Sequence, residues 1–336
     1  MTFLWRVASR TSLPVAAAFA SQLSGSRSCC ERIDPPSVDV SISSLSSSAT
    51  ATKDATGSAG FQNATGYYKD LFPKRQKWEP RVEYPLWDHN WDGRQLPSTG
   101  NDDEDRRRMR AIRKSGVTRH IILVRHGQYD ETHKEDHLRK LTPLGRHQAE
   151  LTGKRLAEMI KGSSDQKARS CKVKVLRVSG MARAIETADI IATHLPGVEY
   201  DQPDTRLNEG RPCHHIPGGR VSEKMVKVTD ENHPRIEEAF QSFFHRSEPP
   251  KEGEEPEDGE KHEFEIIVCH ANVIRYFMCR ALQIPPESWL RFCPFNCSLT
   301  YLTIRPTGSV SCRMVGDTGH LNYETTTFSG HHGFCW

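Results

Sequence analysis

The chain of 336 residues is long enough to bury the full core of a large folded domain. Its 46 Lys plus Arg against 43 Asp plus Glu leave a net charge of +3, which argues against nucleic acid as the main partner and makes any anion site a local feature. Ten cysteines are scattered without a C-x-x-C pair, and Cys293 and Cys297 have no further Cys or His cluster beside them, so neither a disulfide framework nor a metal site is expected.

Residues 1–30 hold Arg6, Arg10 and Arg27 and no acid among Ser and Ala, the composition of a mitochondrial targeting segment. The apolar run Leu13–Leu23 is interrupted by Pro14, Ser21 and Gln22. It falls short of the roughly 20 residues of a membrane-spanning helix, so it reads at most as a weak membrane anchor. Residues 31–77 read as a disordered linker, because 37–66 are rich in Ser, Thr, Ala and Gly and poor in large apolar side chains. Residues 78–116 combine an aromatic cluster (Trp78, Tyr84, and Trp87 and Trp91 within WDHNWD at 87–92) with a basic run, Arg106–Lys114, expected as a helix.

A folded domain is expected over 117–321. Short apolar runs alternate there with helical periodicity, as in a parallel α/β sheet. HIILV at 120–124 reads as a buried strand, and Thr142-Pro143 as the cap and first residue of a helix with Ala149, Thr152, Leu156, Met159 and Ile160 on one face. Val173–Val178 is a second strand; helices are predicted over Met181–His194, Arg235–His245 and Asn272–Leu282. Glu265–Cys269 is a further strand, and Ser298–Ile304 and Val310–Val315 form a pair joined at Pro306-Thr307-Gly308. Nine acids between Glu248 and Glu265, broken by Pro and Gly, predict a solvated acidic loop, and 322–336 are left as a tail.

Two apolar strands each end within two residues of a histidine, His126 and His270. Ligands of open α/β sheets bind beyond the carboxyl ends of strands, where helix N-termini offer free N–H groups to anions. A neutral imidazole there can attack phosphorus and divide one displacement into two. Arg125 and Arg183 supply paired donors for phosphoryl oxygens, and Glu209 a proton for the leaving oxygen. No cofactor and no metal is needed by this set. Singly, each residue also has a structural reading: Arg183, for instance, could pair with Glu186 one turn along its helix.

The segments VRHGQ at 124–128, LTPLGRHQAELTGKRLA at 141–157, SGMARAIETADII at 179–191, NEG at 208–210 and VCHANVIRY at 268–276 resemble, in order and spacing, the histidine phosphatase superfamily, phosphoglycerate mutase branch. The resemblance implies a three-layer α/β sandwich with a mostly parallel central sheet and helices on both faces. It also implies a phosphate pocket of Arg125, His126, Arg183, Glu209 and His270, with His126 phosphorylated, and Gly127, Gln128, Arg211 and Ala271 are expected beside it at the substrate. WDHNWD and GDTG at 316–319 narrow the resemblance to the mitochondrial mutase-like serine/threonine-protein phosphatases. In these the WDxNWD arm joins subunits, which makes Trp87, Asp88, Asn90, Trp91 and Asp92 expected assembly residues of a homo-oligomer acting on phosphoproteins. Two other readings remain open: a small-molecule mutase or phosphatase, disfavoured because GRPCHH follows Glu209 where sugar mutases carry a long ERHYG insert, and a scaffold protein working through the arm.

Overall fold

The computed structural model describes residues 87–161, 173–218, 221–249 and 261–328. The expected targeting segment, linker, Trp78, Tyr84, residues 250–260 of the acidic loop and residues 329–336 of the tail lie outside them. Among the described residues no helix is long and apolar enough to cross a membrane.

Helix α1 spans Asp102–Ser115. Asn101 caps it by accepting the N–H groups of Asp103 and Glu104; acids fill its first turn and Arg113 and Lys114 its last, the arrangement that the helix dipole favours. Strand β1 (Thr118–Arg125) follows, then helix α2 (Pro143–Lys161), strand β2 (Val173–Val178), helix α3 (Ala182–Thr193), the short strand β3 (Glu199–Tyr200), helix α4 (Glu223–Phe243), strand β4 (His262–Cys269), helix α5 (Ala271–Ala281), and strands β5 (Leu299–Ile304) and β6 (Val310–Asp317).

The sheet runs β3-β2-β4-β1-β5-β6, with β1, β2, β3 and β4 parallel and the β5–β6 hairpin antiparallel at one edge. Period-two alternation divides β1 between two cores. Ile121 and Leu123 face α4 and α5 through Ile236, Phe240, Val273 and Phe277, while Ile122 and Val124 face α2 and α3 through Leu156, Ala184, Ala188 and Ile191. Two helical layers thus enclose one sheet, the three-layer sandwich that the sequence led us to expect. Gly308 turns the edge hairpin with φ +87°, which a residue without Cβ adopts freely.

Two boundaries differ from expectation. Residues 262–264, read as loop, belong to β4, and Glu265, counted both with the loop acids and as the start of the strand, is buried and ion-paired with Arg119 and Arg177, so its charge is balanced inside the sheet rather than by water. Helix α4 begins twelve residues before the predicted Arg235, capped by the Ser222 side chain on the Met225 N–H, and carries Pro234 inside it.

The motif at 87–92 packs on the domain that carries it. Trp91 donates its indole N–H to the Gly308 carbonyl at 2.8 Å and lies 6.1 Å from the Phe240 ring. The fully buried Asp92 carboxylate pairs with Arg246 at 2.8 Å, and the Arg246 backbone N–H adds a bond of the same length. Asp88 and Asn90 are exposed and Trp87 is half-buried. Asp88 exchanges two backbone bonds with the Gln283 side chain, and Asn90 caps the turn by accepting the Gln95 N–H.

Candidate active site

Strand register builds the site. Arg125 of β1 stands opposite Cys269 of β4, so the next residues, His126 and His270, leave adjacent parallel strands side by side, with ring centroids 5.1 Å apart. Val178 of β2 stands opposite Val268 of β4, so Ser179 leaves β2 level with Cys269, and its hydroxyl reaches His270 Nε2 on the other flank at 2.7 Å. Three neighbouring strands therefore deliver His126, His270 and Ser179 in one row at their carboxyl ends, where an α/β sheet binds its ligand.

The loop after β1 is compact because it lies on the start of α2. A Cβ on Gly127 would come 2.6 Å from the Gly145 carbonyl oxygen, and one on Gly145 would meet the Gln128 carbonyl oxygen at 1.9 Å. Both positions require glycine. The Thr142 hydroxyl caps α2 through the Gly145 N–H at 3.0 Å and donates to Gln128 Oε1 at 2.8 Å. The Gly127 N–H donates to Thr187 Oγ1 at 3.1 Å and the Gln128 N–H to Gln148 Oε1 at 2.8 Å.

Within this frame His126 is buried, with Nδ1 2.8 Å from the Gly127 carbonyl and Nε2 3.3 Å from Arg183 Nε. A carbonyl only accepts and a guanidinium only donates, so Nδ1 carries the proton and Nε2 presents its lone pair. Burial first, and then His270, Arg125 and Arg183, hold the imidazole well below its usual range, so it is neutral at pH 7. His270 caps α5 and is fully enclosed; burial and then the Arg183 and Arg125 charges depress it as well. Its Nε2 lies 2.7 Å from Ser179 Oγ, which reaches Asn208 Oδ1 at 2.9 Å, while Nδ1 has no hydrogen-bond partner among the described residues.

Arg183 turns inward from the first turn of α3, held by Asp136 at 3.1 Å and lying 4.7 Å over the Tyr129 ring. Glu186 is paired elsewhere, with Arg146 at 2.6 Å and the Leu141 N–H at 2.8 Å, so the alternative partner for Arg183 drops out. Arg125 is buried and charged even though burial lowers it to about 10. Its Nη1 donates to the carbonyls of Pro294 and Phe328, and its Nε, also buried, has no partner among the described residues. Glu209 accepts the N–H groups of Gly210 and Asn272; burial raises its carboxyl above the usual range, against the pull of Arg183 and Arg125. Ala271 opens α5, so its N–H belongs to the turn that a helix leaves unpaired. Arg211 turns instead to His215, with Nη2 3.0 Å from Nδ1.

Ser179, Asn208, Tyr129, Asp136 and Thr187 surround the five expected residues but received no role from the sequence. Ser179 carried a usable signal: like both histidines, it directly follows a short apolar strand.

Comparison with known proteins decides the family. The profile of the histidine phosphatase superfamily (branch 1) matches residues 121–317. The chain belongs to this superfamily. It is 41% identical over 284 residues, 82% of this chain and 92% of the other, to the mitochondrial serine/threonine-protein phosphatase Pgam5 of Caenorhabditis elegans. With the human mitochondrial serine/threonine-protein phosphatase PGAM5 it shares 42% identity over 252 residues, 73% of this chain and 81% of the other. Among solved structures, the phosphoglycerate mutase of Plasmodium falciparum is 34% identical, covering 61% of this chain and 95% of its own, at a TM-score of 0.40.

Proposed function

We propose that the protein is a mitochondrial serine/threonine protein phosphatase that transfers the phosphoryl group to His126 Nε2. The observation that carries this reading is the pairing of two buried imidazoles, ring centroids 5.1 Å apart and both held below their usual range, with Arg125, Arg183 and a carboxyl group whose hold on its proton is strengthened by burial. The Nε2 lone pair attacks phosphorus while Glu209 gives its proton to the departing serine or threonine oxygen. Arg125, Arg183 and His270 hold the three equatorial oxygens. Water then attacks the phosphohistidine, Glu209 takes up the water proton, and orthophosphate leaves with Glu209 and His126 in their starting states. The protein groups supply each step, so chelation by EDTA is expected to leave turnover unchanged.

A phosphoprotein fits the rim of this site. Only a short stretch separates Glu209 from α4 at Glu223, and it is tied down by the Trp289 indole N–H on the Cys213 carbonyl at 3.2 Å and by Arg291 on the Ile216 carbonyl at 2.7 Å. Gly127, Gln128, Ala271 and Arg211 border the phosphoserine. Copies of the chain associate through the WDxNWD segment, with Trp87, Asp88 and Asn90 outward and Trp91 and Asp92 as its anchors. Exchange of this segment between copies would keep every anchoring bond while making it intermolecular. Association with a membrane would rest on the run Leu13–Leu23.

His126→Ala is expected to abolish dephosphorylation of a phosphoserine peptide while leaving the fold intact, and the wild type to accumulate an acid-labile phosphoenzyme that the variant lacks. Full turnover by His126→Ala would remove His126 as nucleophile. Comparing that peptide with 3-phosphoglycerate separates protein phosphatase from mutase.

A further inference from the structure

The tail residues Thr325–Phe328 meet the phosphate loop at three points. The Phe328 carbonyl accepts from Arg125 Nη1, and the Phe328 ring lies 5.4 Å from the Arg125 guanidinium carbon and 5.9 Å from that of Arg275, with the Phe295 ring edge-on at 5.7 Å. The Thr325 carbonyl and Thr327 hydroxyl take both N–H groups of the fully buried Gln148 amide, at 2.7 and 2.9 Å, and the other end of that amide holds the Gln128 N–H. Thr327 also bonds Asn296 twice, its carbonyl accepting the Asn296 N–H at 2.9 Å and its hydroxyl donating to Oδ1 at 3.0 Å; Asn296 Nδ2 donates to the His126 carbonyl at 3.2 Å.

Each of these links ends on a working part of the loop: the Arg125 side chain, the His126 carbonyl and the Gln128 N–H. With Nη1 taken by the Phe328 and Pro294 carbonyls, the Arg125 guanidinium has one edge committed to backbone. Its other edge, Nε and Nη2, is the fork that a phosphoryl group accepts in parallel. An arginine fixed in this way has little rotamer freedom left to lose when the anion arrives.

We propose that Thr325–Phe328 is a positioning strap for Arg125, so that affinity for the phosphoryl group is set from the C-terminal segment. The strap residues touch no reacting atom; they act by holding the Arg125 side chain, directly and through the loop that carries it. The inference rests on reading the Arg125–His126 pocket as the phosphoryl site.

The test uses the full chain, a phosphoserine peptide as substrate and inorganic phosphate as inhibitor. Removing residues 325–336 is expected to raise KM and the phosphate Ki together by about tenfold, with a smaller change in kcat, because Arg125 holds the phosphoryl group in ground and transition state alike. Removing only 329–336 leaves both within twofold. Phe328→Ala and Thr327→Val give intermediate rises, and in an Arg125→Ala background removal of 325–336 adds nothing further, since the strap acts through that side chain. A chain lacking 325–336 that melts earlier but keeps KM and Ki within twofold overturns the proposal, as does an equal effect from removing 329–336 alone. Should the longer truncation fail to fold, unchanged KM and Ki in full-length Phe328→Ala overturn it. Unaltered phosphate inhibition of Arg125→Ala would instead remove the pocket reading beneath it.

Discussion

Replacing Ser179 by Ala tests how His270 is made ready for the phosphoryl group. The serine hydroxyl is fully buried between His270 Nε2 at 2.7 Å and Asn208 Oδ1 at 2.9 Å. Its single proton goes to the Asn208 carbonyl oxygen, so the hydroxyl oxygen accepts from His270 Nε2–H, and Nδ1 is left as the nitrogen that faces the anion. In the free site burial and the two arginines keep His270 neutral. A bound phosphoryl dianion offsets those positive neighbours and draws a proton onto Nδ1. Alanine leaves Nε2–H buried without an acceptor, which costs about 1–3 kcal/mol and more for a charged ring, so kcat/KM should fall by roughly tenfold to a hundredfold. The decline on the alkaline side should begin at lower pH, because the imidazolium has lost its acceptor. The assay is kcat and KM on a phosphoserine peptide from pH 5.5 to 8.5, with a melting curve to check the fold. A kcat/KM within twofold of wild type across that range would show that the Asn208–Ser179–His270 chain is structural only.

The raised Glu209 carboxyl keeps its proton to higher pH than an ordinary glutamate, so turnover of phosphoserine should fall as pH rises through that raised value. Glu209→Gln should flatten this decline and lower kcat/KM for phosphoserine by about 10²–10⁴-fold, while kcat/KM for p-nitrophenyl phosphate, whose leaving group needs no proton, falls far less. Equal losses on the two substrates would refute the proton-donor role. Asp92→Ala leaves the Arg246 guanidinium, 8% exposed, without its carboxylate, which costs about 3–5 kcal/mol. The melting temperature should drop by roughly 10 °C, and an unchanged value would mean that the seat of the WDHNWD segment contributes nothing within one chain.

The candidate set was legible because its members sit at strand ends. HIILV and EIIVC announce buried strands by composition, and the one or two residues that follow each are fixed in space as soon as the strands pair. Helix α2 was legible for the same reason, since Thr142-Pro143 is a capping signal complete in itself. What stayed hidden depends on contacts between segments far apart in the chain. Gln148 reads as one polar residue on a helix, and only the fold shows its amide between Gln128 and Thr325. Glu265 counted as one of nine loop acids because its partners Arg119 and Arg177 lie on other strands. The first half of α4 was missed because Pro234 normally argues against a helix interior; the residues before it keep their own cap at Ser222. Trp91 and Asp92 were expected as assembly residues, and their seat within the chain stayed hidden because the hairpin turn and Arg246 that receive them are more than 150 residues away.

The pairing of Val124 with Val268 gives the spacing of the two imidazoles an origin outside the side chains. Neighbouring strands repeat at about 4.8 Å, and the ring centroids follow that ruler at 5.1 Å. Distance between the two histidines is thus a constant of the backbone lattice, beyond the reach of any nearby point substitution that leaves the ladder in register. A slip of one residue would turn both histidines to opposite sides, so there is no half-assembled pocket for the chain to visit. Under rising denaturant, catalytic competence should therefore vanish at the same midpoint as the sheet itself, as an all-or-none property of β1 and β4.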